Sequence, residues 1–117
     1  MKINELSIGN YVKYKNTVFE VNAITTPDFD KDYYIIELLN DNLLINVKLD
    51  KIEGIELNKK WIEKFDKPLI DFGFYISLSP ANSYYRLFHN NLFTGIFIDY
   101  VHQLQNLYFL IRNEKLI

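Results

Sequence analysis

The stretch HQLQN, residues 102–106, places one histidine and three amide side chains within five positions of the chain. A histidine ring can accept a proton or bind a metal ion near neutral pH. Glutamine and asparagine side chains can form paired hydrogen bonds with the edge of an adenine base. These residue types allow two kinds of chemistry. One is acid–base or metal chemistry, and the other is nucleic-acid recognition. Which of the side chains can act together depends on the secondary-structure element that carries them.

A C-terminal helix is predicted to carry this stretch, from about residue 100 to residue 112 or 113, with Asp99 as its N-cap. Successive side chains of a helix are about 100° apart, so residues three and four positions apart share a face. One arc of the helix is apolar and predicts the core face: Tyr100, Val101, Leu104, Leu107, Tyr108 and Ile111. The opposite side is weakly polar: His102, Gln105, Asn106, Phe109, Arg112 and Asn113.

The weakly polar side of the helix is the candidate interaction face, defined as His102, Gln105, Asn106, Phe109 and Arg112. Amide and aromatic groups suit a surface that is partly covered, because burying charged groups there would be costly. The favoured cover is the protein's own strands, with the amides bonded to the sheet backbone, and the alternative cover is another protein. Readout of adenine by these amides is disfavoured, since few basic residues are nearby to hold phosphates.

An opening strand carries the second candidate surface, in which Tyr11, Lys13 and Lys15 share one strand face. Aromatic rings stack on bases and lysines contact phosphates, so this arrangement is a candidate nucleic-acid face. The favoured interpretation is an amphipathic strand with Val12 and Tyr14 inward and the lysines in water. Acidic residues are also frequent in this half of the chain, which argues against a phosphate-binding role.

The remaining polar residues do not form a recognised metal or catalytic motif. Asp28, Asp30 and Asp32 resemble the start of a calcium-binding loop, but Tyr33 and Leu39 stand where the glycine and glutamate of that loop belong. The chain has no cysteine, which excludes thiol nucleophiles, disulfides and cysteine-bound zinc. A glycine-rich phosphate loop and a GxSxG nucleophile motif are also absent from the sequence.

His89 and His102 are the only histidines, and neither has a second ligand at a metal-binding spacing. We therefore predict no catalytic residues, no metal site and no cofactor. A small enzyme or ligand-binding protein is kept as an alternative. That alternative requires a deep pocket lined by convergent polar groups that include one of these histidines.

The first half of the chain is predicted to be all β. Residues 10–24 form two strands around a tight turn at Lys15-Asn16, since asparagine tolerates positive φ. Residues 33–39 and 43–49 form two further strands, and residues 52–57 a short fifth. Five short strands in so few residues indicate a small, strongly bent antiparallel sheet of the SH3-like barrel kind.

The second half changes to helical spacing at residue 58. Asn58 is the predicted N-cap of a helix that ends before Pro68, because proline disfavours helix in the preceding residue. Residues 73–79, 84–90 and 93–99 then form a three-stranded antiparallel meander, which the C-terminal helix follows. The predicted fold class is α+β in a single domain, residues 1–117, with an SH3-like β subdomain over 1–57 and an α+β subdomain over 58–117.

Charge and hydropathy differ between the two halves. The formal net charge is -2, from 13 basic and 15 acidic residues, whereas a binder of phosphate backbones usually has a basic excess. Residues 67–117 hold few charged residues but eleven of the eighteen phenylalanines and tyrosines. This half must bury much apolar surface internally or present some of it to a partner.

The N-terminal residues MKINELSIGN lack the apolar core of a signal peptide. The longest apolar stretches are far shorter than the roughly 20 residues that span a bilayer. Together with the absence of cysteine, these features predict a cytoplasmic protein without a membrane partner.

Three motifs resemble a family of short uncharacterised proteins from gut bacteria of the Bacteroidetes group. They are IGNYV at residues 8–12, LNKKWIEKF at 57–65 and YVHQLQNLYF at 100–109. The family is often encoded in prophages or conjugative elements. The resemblance implies that genomic setting and the same order of parts, but it implies no reaction, ligand or active residue. The chain departs from the family after Phe109, where a glycine C-cap is missing, and after Phe65, where it has an insertion.

These features favour a non-enzymatic protein-interaction module of a mobile element or prophage, acting by contact with another protein or by self-association. The first alternative is a nucleic-acid-binding module that uses the barrel face or the C-terminal helix. The second alternative is the small ligand-binding protein or enzyme described above.

Overall fold

The structure, a computed structural model, describes residues 1–26, 34–78 and 84–116, except for the side chains of residues 66–68 and 111–116. The chain divides into two compact units, Met1–Ile55 and Glu56–Ile117. The first contains a four-stranded antiparallel sheet, and the second a three-stranded antiparallel sheet with two helices. The predicted α+β class is therefore confirmed.

The first unit is a meander of four strands in the order β1-β2-β3-β4. The strands are β1 (Tyr11–Tyr14), β2 (Thr17–Thr25), β3 (Ile35–Asn40) and β4 (Leu43–Lys48). Short 3-10 turns precede β1 at Ile3–Glu5 and follow β4 at Leu49–Lys51. Alternate residues of the strands point to one face and form a core with residues from the flanking loops: Leu6, Val12, Phe19, Val21, Ile36, Leu38, Val47 and Ile52.

Lys15 and Asn16 form the turn between β1 and β2, as predicted. Both have positive φ, +48° and +63°, and Tyr14 pairs directly with Thr17. Two-residue turns of this kind match the right-handed twist of the strands that they join. Because Lys15 lies in the turn, it does not continue the strand face of Tyr11 and Lys13.

The IGN motif shapes the chain just before β1. Gly9 has a φ of +94°, a conformation that glycine adopts without a Cβ penalty. The backbone N–H of Gly9 donates to the carbonyl of Val21 at 2.8 Å, and the N–H of Val21 donates to the carbonyl of Asn10 at 2.8 Å. The fully buried Asn10 side chain accepts from the N–H of Ser7 at 2.7 Å. The motif therefore attaches the N-terminal segment to the edge of the sheet.

The closed SH3-like barrel is not observed among the described residues. In place of a fifth strand, Glu53 forms one bridge with Lys13, through two backbone hydrogen bonds of 2.8 and 2.9 Å. Ile52 and Ile55 are both buried although they are three residues apart, a spacing that does not fit the two-residue period of a strand. The glycine between them also weakens strand pairing, so closure is limited to one residue pair.

The second unit contains, in chain order, α1 (Lys59–Asp71), β5 (Phe74–Leu78), β6 (Tyr85–His89), β7 (Leu92–Ile98) and α2 (Val101–Leu116). The three strands pair antiparallel in the order β5-β6-β7, which confirms the predicted meander. Helix α1 packs against α2 and β5. Buried residues come from one sheet face and from both helices: Leu69, Leu87, Ile98, Val101 and Leu104.

Helix α1 begins as predicted but ends later. The Asn58 side chain accepts a hydrogen bond from the N–H of Trp61 at 3.1 Å. The predicted end before Pro68 is wrong, since the helix continues to Asp71. A proline inside a helix costs about 3 kcal/mol. The extra turn buries Leu69, and burial of a leucine contributes about 1.5–3 kcal/mol, which offsets most of that cost.

The start of α2 differs from the predicted capping. The Gln103 side-chain oxygen accepts from the N–H groups of Asp99 at 2.8 Å and Tyr100 at 3.1 Å. A glutamine near the start of a helix can reach back to the preceding backbone in this way, as in the second half of a capping box. The side chain that caps this helix is therefore Gln103, and the predicted role of Asp99 is wrong.

Candidate interaction surface

The predicted interaction face on α2 is not an exposed surface. His102 and Gln105 are only 1% and 2% exposed, while Asn106 and Phe109 are half-buried. Val101 and Leu104 on the predicted core side are fully buried as well. The first turns of α2 are thus covered on both sides. The polarity of the residues along a helix does not by itself determine which side is buried. The side chain of Arg112 lies outside the described residues.

The buried polar residues of α2 have structural contacts. The His102 ring stacks on the Tyr100 ring, with 5.7 Å between centroids and 16° between planes. Tyr100 was predicted in the core, but it is partly exposed. Gln105 and Asn106 each take part in further interactions. A buried polar group is tolerated when it has partners, so Gln105 and Asn106 fit a structural role.

Carboxylates lie beside the candidate nucleic-acid face on β1. The Lys13 ammonium lies 3.9 Å from a Glu53 carboxylate oxygen. Tyr11 is paired directly with Glu20 and lines a shallow cleft together with Glu20 and Asp41. Carboxylates at these positions repel phosphate, so the geometry of the face does not favour nucleic-acid binding.

The other polar candidates form no metal site within the part of the chain that the structure describes. Asp28, Asp30 and Asp32 lie outside the described residues. The His89 ring stacks on Phe74 at 4.2 Å between centroids. Within residues 1–26, 34–78 and 84–116, no group of three His, Asp or Glu side chains is arranged to hold a metal ion.

A different surface is the most distinctive one of the second unit. It is one face of the three-stranded sheet, here called the aromatic face, and consists of the Arg86 side chain and five rings: Tyr75, Tyr84, Phe88, Phe93 and Phe97. Tyr75 pairs with Phe88, and Phe88 with Phe93, across the three strands. Directly paired residues share a sheet face, so these rings lie side by side. Leu87 and Ile98 point to the opposite face and are buried.

The five rings form a continuous chain of contacts. Tyr75 and Phe88 are stacked with centroids 4.9 Å apart and planes 4° apart. Phe88 lies 5.6 Å from Phe93, and Phe93 lies 5.5 Å from Phe97. Tyr84 completes the chain at 5.9 Å from Phe97. Such pairs contribute about 0.5–1.5 kcal/mol each beyond their burial, so the rings hold one another in place before any partner arrives.

Four of these rings are substantially exposed, between 38% and 51%: Tyr75, Tyr84, Phe93 and Phe97. An aromatic side chain has roughly 200 Å² of surface, so these fractions correspond to an exposed aromatic area on the order of 400 Å². A patch of that size on a single chain is large enough to indicate a binding surface.

A bulge in β7 produces the spacing of the rings. Phe93 and Phe97 are four residues apart but oppose Phe88 and Arg86, which are two apart. The Thr94 hydroxyl donates to the carbonyl of Leu87 at 2.8 Å and accepts from the N–H of Ile96 at 3.2 Å. The hydroxyl replaces ladder hydrogen bonds that the bulge removes, and it thereby stabilises the bulge. With this bulge, both phenylalanines lie on the aromatic face.

Arg86 lies among the rings. Its guanidinium carbon is 5.4 Å from the Phe88 centroid and 5.8 Å from the Phe93 centroid. Its Nε atom is buried and has no hydrogen-bond acceptor among the described residues. No described residue forms an ion pair with it either. The aromatic face therefore carries one cation whose hydrogen-bonding capacity is unused within the described part of the chain.

The sequence contains one signal for this face. The segment YYRLF at residues 84–88 places large aromatic or aliphatic side chains on both strand faces. A sheet that is covered by helices on one side needs only one apolar face. The register that unites residues from three strands depends on the β7 bulge, which the sequence pattern does not reveal.

The described helices include none that is long and apolar enough to cross a membrane. No protein-family model, curated protein sequence or solved structure matches the chain. The interpretation of the aromatic face therefore depends on its own geometry and composition.

Proposed function

We propose that the protein is a non-enzymatic protein-interaction module and that the aromatic face binds its partner. The supporting observation is the chain of five rings around Arg86, four of which are exposed. Aromatic residues and arginine are enriched in the centres of protein interfaces, where lysine, glutamate and aspartate are depleted. The face has this composition, and its rings are already ordered by their mutual contacts.

The proposed setting is the cytoplasm of a bacterium that carries a mobile element or prophage. It rests on the absence of cysteine and on the resemblance of the IGNYV and YVHQLQNLYF motifs to proteins of such elements. In this proposal the first unit is an SH3-like barrel that has lost most of its fifth strand. The return of Glu53 to the edge of β1 supports that relationship.

Binding of single-stranded nucleic acid is the competing function for the aromatic face, because such proteins also stack bases on aromatic side chains. They combine this stacking with a positively charged groove that follows the phosphates. The aromatic face has a single cation, Arg86, and the protein has a net charge of -2. The charge therefore favours a protein partner.

The test is a comparison of co-purified proteins for three tagged forms expressed in the source bacterium. These are the wild type, the double variant Phe93→Ser/Phe97→Ser, and the control Leu44→Ser, which changes a similarly exposed residue of β4. We expect the double variant to lose a partner that the wild type and the control both retain, with unchanged circular dichroism. Retention of the same proteins by all three forms would contradict the proposal.

A further inference from the structure

Arg86 constrains what the aromatic face can bind. A guanidinium has five N–H donors in a planar fork, and Arg86 uses none of them in hydrogen bonds to described residues. Of the three guanidinium nitrogens, only Nε is buried without an acceptor among the described residues, so the terminal N–H groups are the ones that a partner can reach. A guanidinium fork within an apolar surface favours a partner that supplies an acceptor for those groups.

The neighbouring rings do not meet this need. Phe88 and Phe93 stabilise the positive charge through their π electrons, at 5.4 and 5.8 Å from the guanidinium carbon. A phenylalanine ring offers no lone pair for the in-plane N–H groups. Contact with the rings holds the guanidinium in position, and the group that matches its fork in shape and charge is a carboxylate.

A second copy of the same face is a poor occupant. Two identical chains related by a two-fold axis bring the same patch together from both sides. Such a contact would bury two guanidinium groups, and the aromatic face has no carboxylate to pair with either of them. Desolvating two like charges without partners is strongly unfavourable.

We infer that the aromatic face binds an acidic amphipathic segment of another protein, in which apolar side chains cover Phe93 and Phe97 and one Asp or Glu pairs with Arg86. The inference rests on the proposed function and adds the chemistry of the partner. Charge complementarity carries it, since the face has one cation, within an apolar surface, that no carboxylate of the described residues pairs with. Burial of that pair by the surrounding rings strengthens its contribution to specificity.

The experiment uses the full chain and peptides selected from a random display library. Peptides that bind the wild type, but not Phe93→Ser/Phe97→Ser, are synthesised in two forms. One form has the selected Asp or Glu, and its twin has Asn or Gln at that position. Titrations measure the dissociation constants of both forms with the wild type, Arg86→Gln and Arg86→Lys.

We expect the amide twin to bind the wild type at least about tenfold more weakly than the acidic peptide. The Arg86→Gln variant should bind both forms equally and weakly, and Arg86→Lys should keep part of the preference for the acid. If Arg86→Gln does not fold, the test is the comparison of the acidic peptide with its amide twin, measured with the wild type and with Arg86→Lys.

Equal binding of the two peptide forms to the wild type would overturn the inference and leave the proposed function in place. If every selected peptide also bound the double variant, that result would count against the proposed function itself. Two further results would overturn the inference by identifying another occupant. One is a wild-type dimer that the double variant abolishes, and the other is binding of a single-stranded oligothymidine that the double variant abolishes.

Discussion

Amide side chains secure two junctions of the chain. Asn10 accepts from the N–H of Ser7 just before β1, and Gln103 accepts from two N–H groups just before α2. Backbone N–H groups outside a ladder or helix still need acceptors, and each amide supplies one that the nearby backbone does not. The asparagine of IGN and one glutamine of HQLQN thus have structural roles that their sequence context left open.

Replacement of Asn10 by alanine is expected to destabilise the protein by about 1–3 kcal/mol. The side chain is fully buried, and its loss leaves the N–H of Ser7 without its acceptor. Asn46→Ala on β4 is the control, since Asn46 is exposed and its change should cost less than about 0.5 kcal/mol. Unfolding by urea measures both, and equal midpoints for the two variants would contradict the structural role of Asn10.

Gly73 and Gly95 offer a second comparison between single residues. Their φ values are nearly equal, +82° and +84°, so alanine at either position is strained by about 1–2 kcal/mol. A Cβ at Gly73 would also lie 2.5 Å from the Asn90 side-chain oxygen, whereas a Cβ at Gly95 meets no atom within 4 Å. Gly73→Ala should therefore lower the melting temperature more than Gly95→Ala. Equal shifts for the two variants would show that backbone strain alone decides the cost, and the reverse order would contradict the predicted clash at Gly73.

At the scale of elements, local signals in the sequence were sufficient for most strands and turns. The Lys15-Asn16 turn, the N-cap at Asn58 and the meander of β5, β6 and β7 were predicted because each depends on residues close in sequence. The continuation of α1 through Pro68 was not predicted. It accompanies the burial of Leu69, a tertiary effect that offsets most of the local cost of proline.

The candidate interaction face and the aromatic face show the same limit. The helical pattern placed His102 and Gln105 on a partly covered side, with the protein's own strands as the favoured cover, and the fold buries both side chains. The aromatic face was missed because its members belong to three strands, and its register includes a bulge. Which residues of different strands share a sheet face depends on how the strands pair, and a single sequence does not specify that pairing.

Helix α2 provides a test of which side chain caps it. Gln103→Ala is expected to destabilise the protein by about 0.5–2 kcal/mol, because two N–H groups lose their acceptor. Asp99→Ala removes the originally predicted cap and should cost only about 0.3–1 kcal/mol, from the loss of a favourable charge near the helix start. Unfolding by urea at low salt compares the two variants. A larger effect of Asp99→Ala than of Gln103→Ala would restore the original capping prediction.

At the scale of the whole molecule, the two units differ in surface chemistry. The first places a lysine beside a carboxylate at Lys13 and Glu53. The second exposes the aromatic face, in which Arg86 is the single charged residue. An apolar surface of this kind is a risk for unwanted association, and one desolvated charge within it is a known means of restricting the set of partners.

This role of Arg86 predicts opposite behaviour for two substitutions. Arg86→Leu converts the face to a continuous apolar surface, so self-association should become at least about tenfold stronger. Arg86→Lys keeps the positive charge and should resemble the wild type. Sedimentation equilibrium over a range of protein concentrations measures the dimer dissociation constant of each form.

Variants that associate only because they are unfolded are identified by their circular dichroism. If Arg86→Leu remained as monomeric as the wild type, the charge would not be what keeps the aromatic face from pairing with its own copy. If the wild type and Arg86→Lys also formed dimers, the face would accept two guanidinium groups. The proposed carboxylate partner would then lose its main support. Association of Arg86→Leu alone would show that a single cation keeps the aromatic face from pairing with its own copy, as the proposed acidic partner requires.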